Sequence, residues 1–178
     1  MTYFKLTAET KIIGSLTLYR IECIKDFIHA KKGDKGGFIE KESNLNGDAW
    51  VYGDAWVYGD ARVSGNAMVY GNAWVYGNAR VYGDARVYGD AMVYGNARVS
   101  GDARVYGDAI STRKVFTLDF KYNLALTDNH IRYGCEQKTV EEWEKWLDSS
   151  EEFDTSRTNP EFKIIEMSLR LAIKQHKS

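Results

Sequence analysis

Proline occurs once in these 178 residues, at Pro160, and cysteine twice, at Cys23 and Cys135. Two cysteines do not make a disulfide framework, so a reducing setting fits the chain. No apolar run approaches the roughly 20 residues that a membrane-spanning helix needs. The segment MTYFKLTAETK lacks the basic start and apolar middle of a secretory signal. These absences lead to the expectation of a cytoplasmic protein without membrane contact. Charge of one sign is lacking too: 24 Lys and Arg against 25 Asp and Glu leave a formal net charge of -1. That balance excludes a global pull toward nucleic acid or anionic lipid and leaves only local patches to consider. Histidine is limited to His29, His130 and His176.

What the chain has instead is repetition. From Gly47 it reads GDAWVY GDAWVY GDARVS GNAMVY GNAWVY GNARVY GDARVY GDAMVY GNARVS GDARVY and then the decaying unit GDAIST. Weaker copies precede this block: in KGGFIE, Gly37 and Ile39 hold the alanine and valine positions, and in KESNLN, Ser43 and Leu45 do. The repeat therefore spans about residues 35–112. Ala-x-Val-Tyr alternates small, variable, β-branched and aromatic side chains, the period of a strand with two unlike faces. Ala and Val are expected to point inward, and the variable residue and Tyr outward. Gly followed by Asp or Asn is a turn signal. Six residues thus make a short strand and a corner, three units close a triangular coil, and coils stack at about 4.8 Å. A valine enclosed this way contributes about 1.5–3 kcal/mol. A helix is excluded, because a glycine at every sixth position costs up to about 1 kcal/mol each time.

With these residues in view, the chain resembles the hexapeptide-repeat proteins that fold as a left-handed parallel β-helix, with Val51, Val57, Val63 and their successors in the aliphatic position. More narrowly, it is similar to proteins of bacteriophages, prophages and gut bacteria that carry G-(D/N)-A-x-V-(Y/S) repeats. In that group a segment like KKGDKGGFIEKESNL, residues 31–45 here, leads into the repeats. The left hand is implied by the resemblance alone, since crossover rules in sheets favour the right-handed sense in about 98% of cases.

A stacked coil leaves edge-rich ends that need covering. Residues 1–34 are expected to do so as a β-hairpin cap, KLTAETKII and LTLYRIECI turning at Gly14-Ser15. Residues 113–178 are expected to form a small α+β cap. VFTLDF, LALT and HIRYG read as strands, with a turn at Asp128-Asn129. Thr139 and Glu142 form a capping box opening VEEWEKWLD, and Asn159-Pro160 opens a second helix with Phe162, Ile165, Leu169 and Ala172 on one face. The fold class is all-β dominated. Trp143 and Trp146 are candidate anchors for a partner, set against the commoner role of packing the cap.

Sorting the outward positions at intervals of 18 residues separates three faces. One stacks Trp56, Trp74, Met92 and Ile110 beside Tyr58, Tyr76 and Tyr94. A second stacks Arg62, Arg80 and Arg98 beside Ser64, Tyr82 and Ser100. The third carries Trp50, Met68, Arg86 and Arg104 beside Tyr52, Tyr70, Tyr88 and Tyr106. The first has no charge in its variable column, which marks an interface for a protein partner or a second copy, most simply in a two-fold dimer. Ring ladders that merely stabilise the coil are the structural alternative. The arginine column is a secondary candidate for phosphates or an acidic partner. Nucleic acid is disfavoured by Asp60 on the same face and by the net charge.

Many hexapeptide-repeat proteins are acyltransferases and others resemble zinc carbonic anhydrases. The first chemistry wants a histidine base and the second three imidazoles around zinc. Residues 35–112 contain no histidine, so no catalytic residue, metal or cofactor is assigned. Asp128, His130 and Cys135 make too small a set for a metal, and a turn histidine is the plainer account. The expectation is a non-enzymatic protein-binding β-helix, a phage or prophage factor that binds and inhibits a host protein such as a component of antiviral defence. A self-associating scaffold is the alternative.

Overall fold

A computed structural model describes residues 2–111, 114–115, 118–119, 123–152 and 155–177. In chain order the strands are β1 (Phe4–Ile13), β2 (Leu16–Cys23), β3 (Lys35–Ile39), β4 (Trp50–Val51), β5 (Trp56–Val57), β6 (Arg62–Val63), β7 (Met68–Val69), β8 (Trp74–Val75), β9 (Arg80–Val81), β10 (Arg86–Val87), β11 (Met92–Val93), β12 (Arg98–Val99), β13 (Arg104–Val105), β14 (Ile110–Ser111) and β15 (Lys114–Val115). Beyond them come β16 (Leu118–Asp119), β17 (Asn123–Leu126), β18 (Ile131–Tyr133), β19 (Glu136–Lys138), α1 (Val140–Asp148) and α2 (Phe162–His176).

The two-residue strands stack in parallel on three faces, β5-β8-β11-β14, β4-β7-β10-β13 and β6-β9-β12-β15. Each residue pairs with the one 18 positions on, as in Trp56↔Trp74 and Val57↔Val75. The molecule is a β-solenoid whose ladders run through every rung, for example Trp56 N to Ala73 O at 2.9 Å and Tyr58 N to Val75 O at 3.0 Å. Valines 51 to 105 in this register are fully buried, as are the alanines at 55 and 67. The alternation of side-chain types does set inside and outside. Corners turn on glycine for a steric reason visible at Gly71 and Gly89. Both have φ of 73°, and a β-carbon added there would lie 3.0 and 2.9 Å from the amide nitrogen of the glycine on the next rung.

The hairpin β1/β2 turns at Gly14, and β2 pairs antiparallel with β3. Because β3 then pairs in parallel with β5, through Phe38↔Trp56, the hairpin continues one solenoid sheet. Gly37 stands where later repeats have alanine. A β-carbon there would come within 2.5 Å of Val51 Cγ1, so the first rung closes too tightly for the consensus residue.

The unit KESNLN departs from the expected strand. Residues Glu42–Asn44 form a 3-10 turn, and Asn44 is buried although its position is an outward one. Its side chain supplies what the ladder loses: Oδ1 accepts from Lys41 N at 2.9 Å, and Nδ2 donates to Ala61 O at 2.8 Å. Leu45 keeps its place and bridges Val63 in parallel.

Buried side chains of residues 124–147 and 162–173 build a second core. β16, β17, β18 and β19 form an antiparallel sheet, of which β19 has no counterpart in the sequence-based expectation. Part of the predicted strand VFTLDF, residues 116, 117 and 120, lies outside the described residues, as does the expected boundary at 112/113. α1 opens on the predicted capping box: Thr139 Oγ1 accepts from Glu142 N, and Glu142 Oε2 accepts from Thr139 N at 2.8 Å. Its C-terminus is closed by Arg157, which donates to Trp146 O at 2.7 Å. α2 buries Phe162, Ile165, Leu169 and Ala172.

Candidate functional site

Trp56 and Trp74 stack with ring centroids 4.9 Å apart, and Tyr58, Tyr76 and Tyr94 stack at 5.0 and 4.8 Å. Rungs of a parallel ladder repeat at about the thickness of an aromatic ring pair, so identical residues in register become columns of parallel rings. Each ring is half-buried by its neighbours. Burial, followed by the neighbouring phenol, raises the Tyr58 and Tyr76 hydroxyls above the ordinary tyrosine value. The column continues downward to Met92 and Ile110 in register.

Both ends of this aromatic face are occupied. At the first rung Phe38 extends the column, a position 18 residues before Trp56 that the sequence pattern offered and the face assignment missed. It is buried under Arg20, whose guanidinium lies 4.2 Å from the ring, and under Lys11 at 4.5 Å. Lys11 also sits 5.3 Å over Trp56 and bonds Asp54. That contact, with its attendant Coulomb attraction, holds the Asp54 carboxyl below its ordinary range. At the far end Asn129 Oδ1 accepts from Ile110 N at 2.7 Å, and Asp128 N donates to Ile110 O. The open middle therefore consists of Trp74 and Met92 with Tyr58, Tyr76 and Tyr94.

The arginine face places Arg62, Arg80 and Arg98 in one exposed column. On the third face the expectation fails at Trp50, which is 1% exposed. Phe27 packs on it edge-on at 5.4 Å, and Tyr52, beside it, bonds His29 O at 2.9 Å. A non-repeating loop thus covers the first outward tryptophan. The rest of that face is a tyrosine ladder, Tyr70–Tyr88–Tyr106 at 4.7 and 5.2 Å, ending under Arg132.

Trp143 and Trp146 are not surface anchors. They are 0% and 5% exposed, and Trp143 Nε1 donates to Ile131 O at 2.6 Å. The ring sizes that suggested an interface instead fill the core between the sheet and the two helices. The exposed apolar groups of this region lie on the other side of α2, at Ile164, Met167 and Leu171. His130 Nε2 stands 3.7 Å from Asp108 Oδ1. Among the described residues no group of three or more His, Cys, Asp or Glu side chains is placed to hold a metal ion, and no helix is long and apolar enough to cross a membrane.

Residues 61–77, 73–88, 85–101 and 97–113 each match the family model described as the YdcK beta solenoid repeat. The matched segments begin 12 residues apart, two six-residue units at a time. The chain is a β-solenoid repeat protein over this stretch. No curated protein matches it.

Proposed function

We propose that this protein is a non-enzymatic, protein-binding β-solenoid that docks its partner on the open middle of the aromatic face. In this proposal the solenoid is of the left-handed hexapeptide kind, and residues 1–34 and 113–178 close its ends. The observation that carries it is a flat surface of Trp74, Met92, Tyr58, Tyr76 and Tyr94 with no charge in its variable column, beside two faces that carry arginine. Aromatic residues held rigid by stacking lose little conformational entropy on binding, which is why they serve as anchors. The absence of histidine from residues 35–112 supports the non-enzymatic part.

The resemblance to G-(D/N)-A-x-V-(Y/S) proteins of bacteriophages, prophages and gut bacteria supports a phage or prophage factor acting in the bacterial cytoplasm. Its partner is then a host protein, such as a component of antiviral defence, that it binds and inhibits. A second reading rests on the same flatness: a face of this kind is self-complementary about a two-fold axis, so a homodimer or scaffold forms there.

One double variant separates these readings. Wild-type protein is expected to capture one stoichiometric partner from host lysate, and Trp74→Lys combined with Met92→Lys to lose it with an unchanged circular dichroism spectrum. Retention of the partner by the double variant refutes the aromatic face as the docking surface. A wild type that captures only itself, and falls to monomer mass in sedimentation when the two lysines are introduced, establishes the dimer instead.

A further inference from the structure

The last position of the ten full repeats is Tyr eight times and Ser twice, and both exceptions, Ser64 and Ser100, fall on the arginine face. There they flank Tyr82, leaving it without a ring to stack on and 38% exposed, the most exposed tyrosine among the described residues. On the Ser64 side of Tyr82 lies a trough of about 580 Å³ lined by Arg62, Arg80, Arg98, Ser64, Tyr82 and Asn46.

Among the described residues no carboxylate pairs with the three guanidinium groups in this trough. Asp60, on the same face, is bonded instead to Lys41 at 3.0 Å. The corners leading into the next two rungs carry Asn78 and Asn96, neutral where seven of the eleven corners carry aspartate. No ion pair joins Arg62, Arg80 or Arg98 to another described residue. Lys114 holds the next register position after Arg98. A column of like charges costs stability unless something neutralises it, and nothing within the described residues does.

We propose that this trough is a docking site for an acidic α-helix of a partner protein, one with carboxylates at i, i+3 and i+7. Stacked rungs set the arginines about 4.8 Å apart, so three span about 10 Å. A helix rising 1.5 Å per residue puts such carboxylates at 0, about 4.5 and about 10.5 Å. An extended peptide, with like-facing side chains every 6.6–6.8 Å, misses the third guanidinium by about 4 Å. Guanidinium forks bind carboxylates through paired, charge-assisted hydrogen bonds. A nucleic-acid strand fits less well, because three cations in a row are few for a continuous phosphate chain. The site lies on a different side of the solenoid from the aromatic face and stands or falls separately from it.

The test uses the full-length protein and two labelled helical peptides of about 15 residues with equal composition. One carries its glutamates in a row at i, i+3 and i+7, and the other spreads them around the helix. The row peptide is expected to bind roughly tenfold more tightly by fluorescence anisotropy, and to release as salt rises. Arg80→Glu is expected to weaken it roughly tenfold, while Arg104→Glu on the third face leaves it unchanged. Should Arg80→Glu lower the melting temperature, Ser64→Tyr serves in its place. It restores the ring found in eight other repeats, fills the trough and weakens binding without loss of stability. Equal binding of the two peptides, an equal loss from Arg104→Glu, or stronger binding of a thymidine oligonucleotide overturns the proposal.

Discussion

Val75, at the centre of the solenoid, lies in register between Val57 and Val93 and has their surroundings almost repeated around it. Trp143, in the C-terminal unit, has surroundings no other residue shares: Trp146 edge-on at 5.5 Å, Lys138 over its ring and Ile131 O on its Nε1. The solenoid spreads its stabilisation over many small, equivalent contacts, so no one rung decides the fold. The C-terminal unit concentrates it in a few large side chains, among them Trp143, Tyr133, Ile165 and Leu169. Repetition makes for tolerance in one region and uniqueness makes for vulnerability in the other.

The largest expected effect follows from that uniqueness. Trp143→Ala removes a fully buried indole and its hydrogen bond, at a cost of about 3–5 kcal/mol. Denaturation followed by circular dichroism is expected to show the helical signal lost well before the strand signal; a single transition at the wild-type midpoint contradicts the two-core picture. Gly89→Ala probes the solenoid where repetition is least forgiving. It forces a side chain to φ of 73° and sets its β-carbon 2.9 Å from Gly107 N, for about 1–3 kcal/mol. The melting temperature should fall, and a neutral result means the corners are looser than the stacking requires.

Thr139→Ala removes the α1 cap and costs about 1 kcal/mol, read from the helical transition alone. The backbone N–H of Thr139, bonded to Glu142, holds that carboxyl below its ordinary range. A depressed folded value means the stabilisation is present above the ordinary glutamate range and lost as the pH falls through the folded value, so the cap weakens in acid. The smallest effect belongs to the tyrosine columns. Burial raises Tyr58 and Tyr76 above the ordinary phenol value of about 10. Their contribution is therefore complete below that pH and disappears as the pH climbs through the raised values. Tyrosinate absorbance that lags behind a free-tyrosine standard, together with a melting temperature that drops only above about pH 10, confirms the ladder. Normal titration of every phenol denies it.

Much of the solenoid was legible because each six-residue unit meets the same local demands, so one unit read correctly gives all of them. The 18-residue register, the inward Ala and Val and the three columns of outward residues all follow from that. The capping box at Thr139 and Glu142 was legible for another reason, since both its hydrogen bonds close within four residues. Trp50 and Asn44 were not. Both hold positions that repetition assigns to the outside: Phe27, from before the repeat, covers Trp50, and the 3-10 turn at Glu42–Asn44 buries Asn44 within a decayed unit. Phe38 carried a usable signal in its spacing from Trp56. The ring sizes of Trp143 and Trp146 pointed equally to an interface and to a core.

By itself, then, the order of residues determined the period, the side of each strand that faces inward, and which residues share a column, because these depend on neighbours a few positions away. Tertiary structure alone decided which outward positions stay uncovered. Arg20 and Lys11 seal Phe38, Phe27 covers Trp50, and the turn at Asp128-Asn129 closes Ile110. Such coverage comes from segments that do not repeat and that meet the solenoid across long stretches of chain, where no local pattern constrains them.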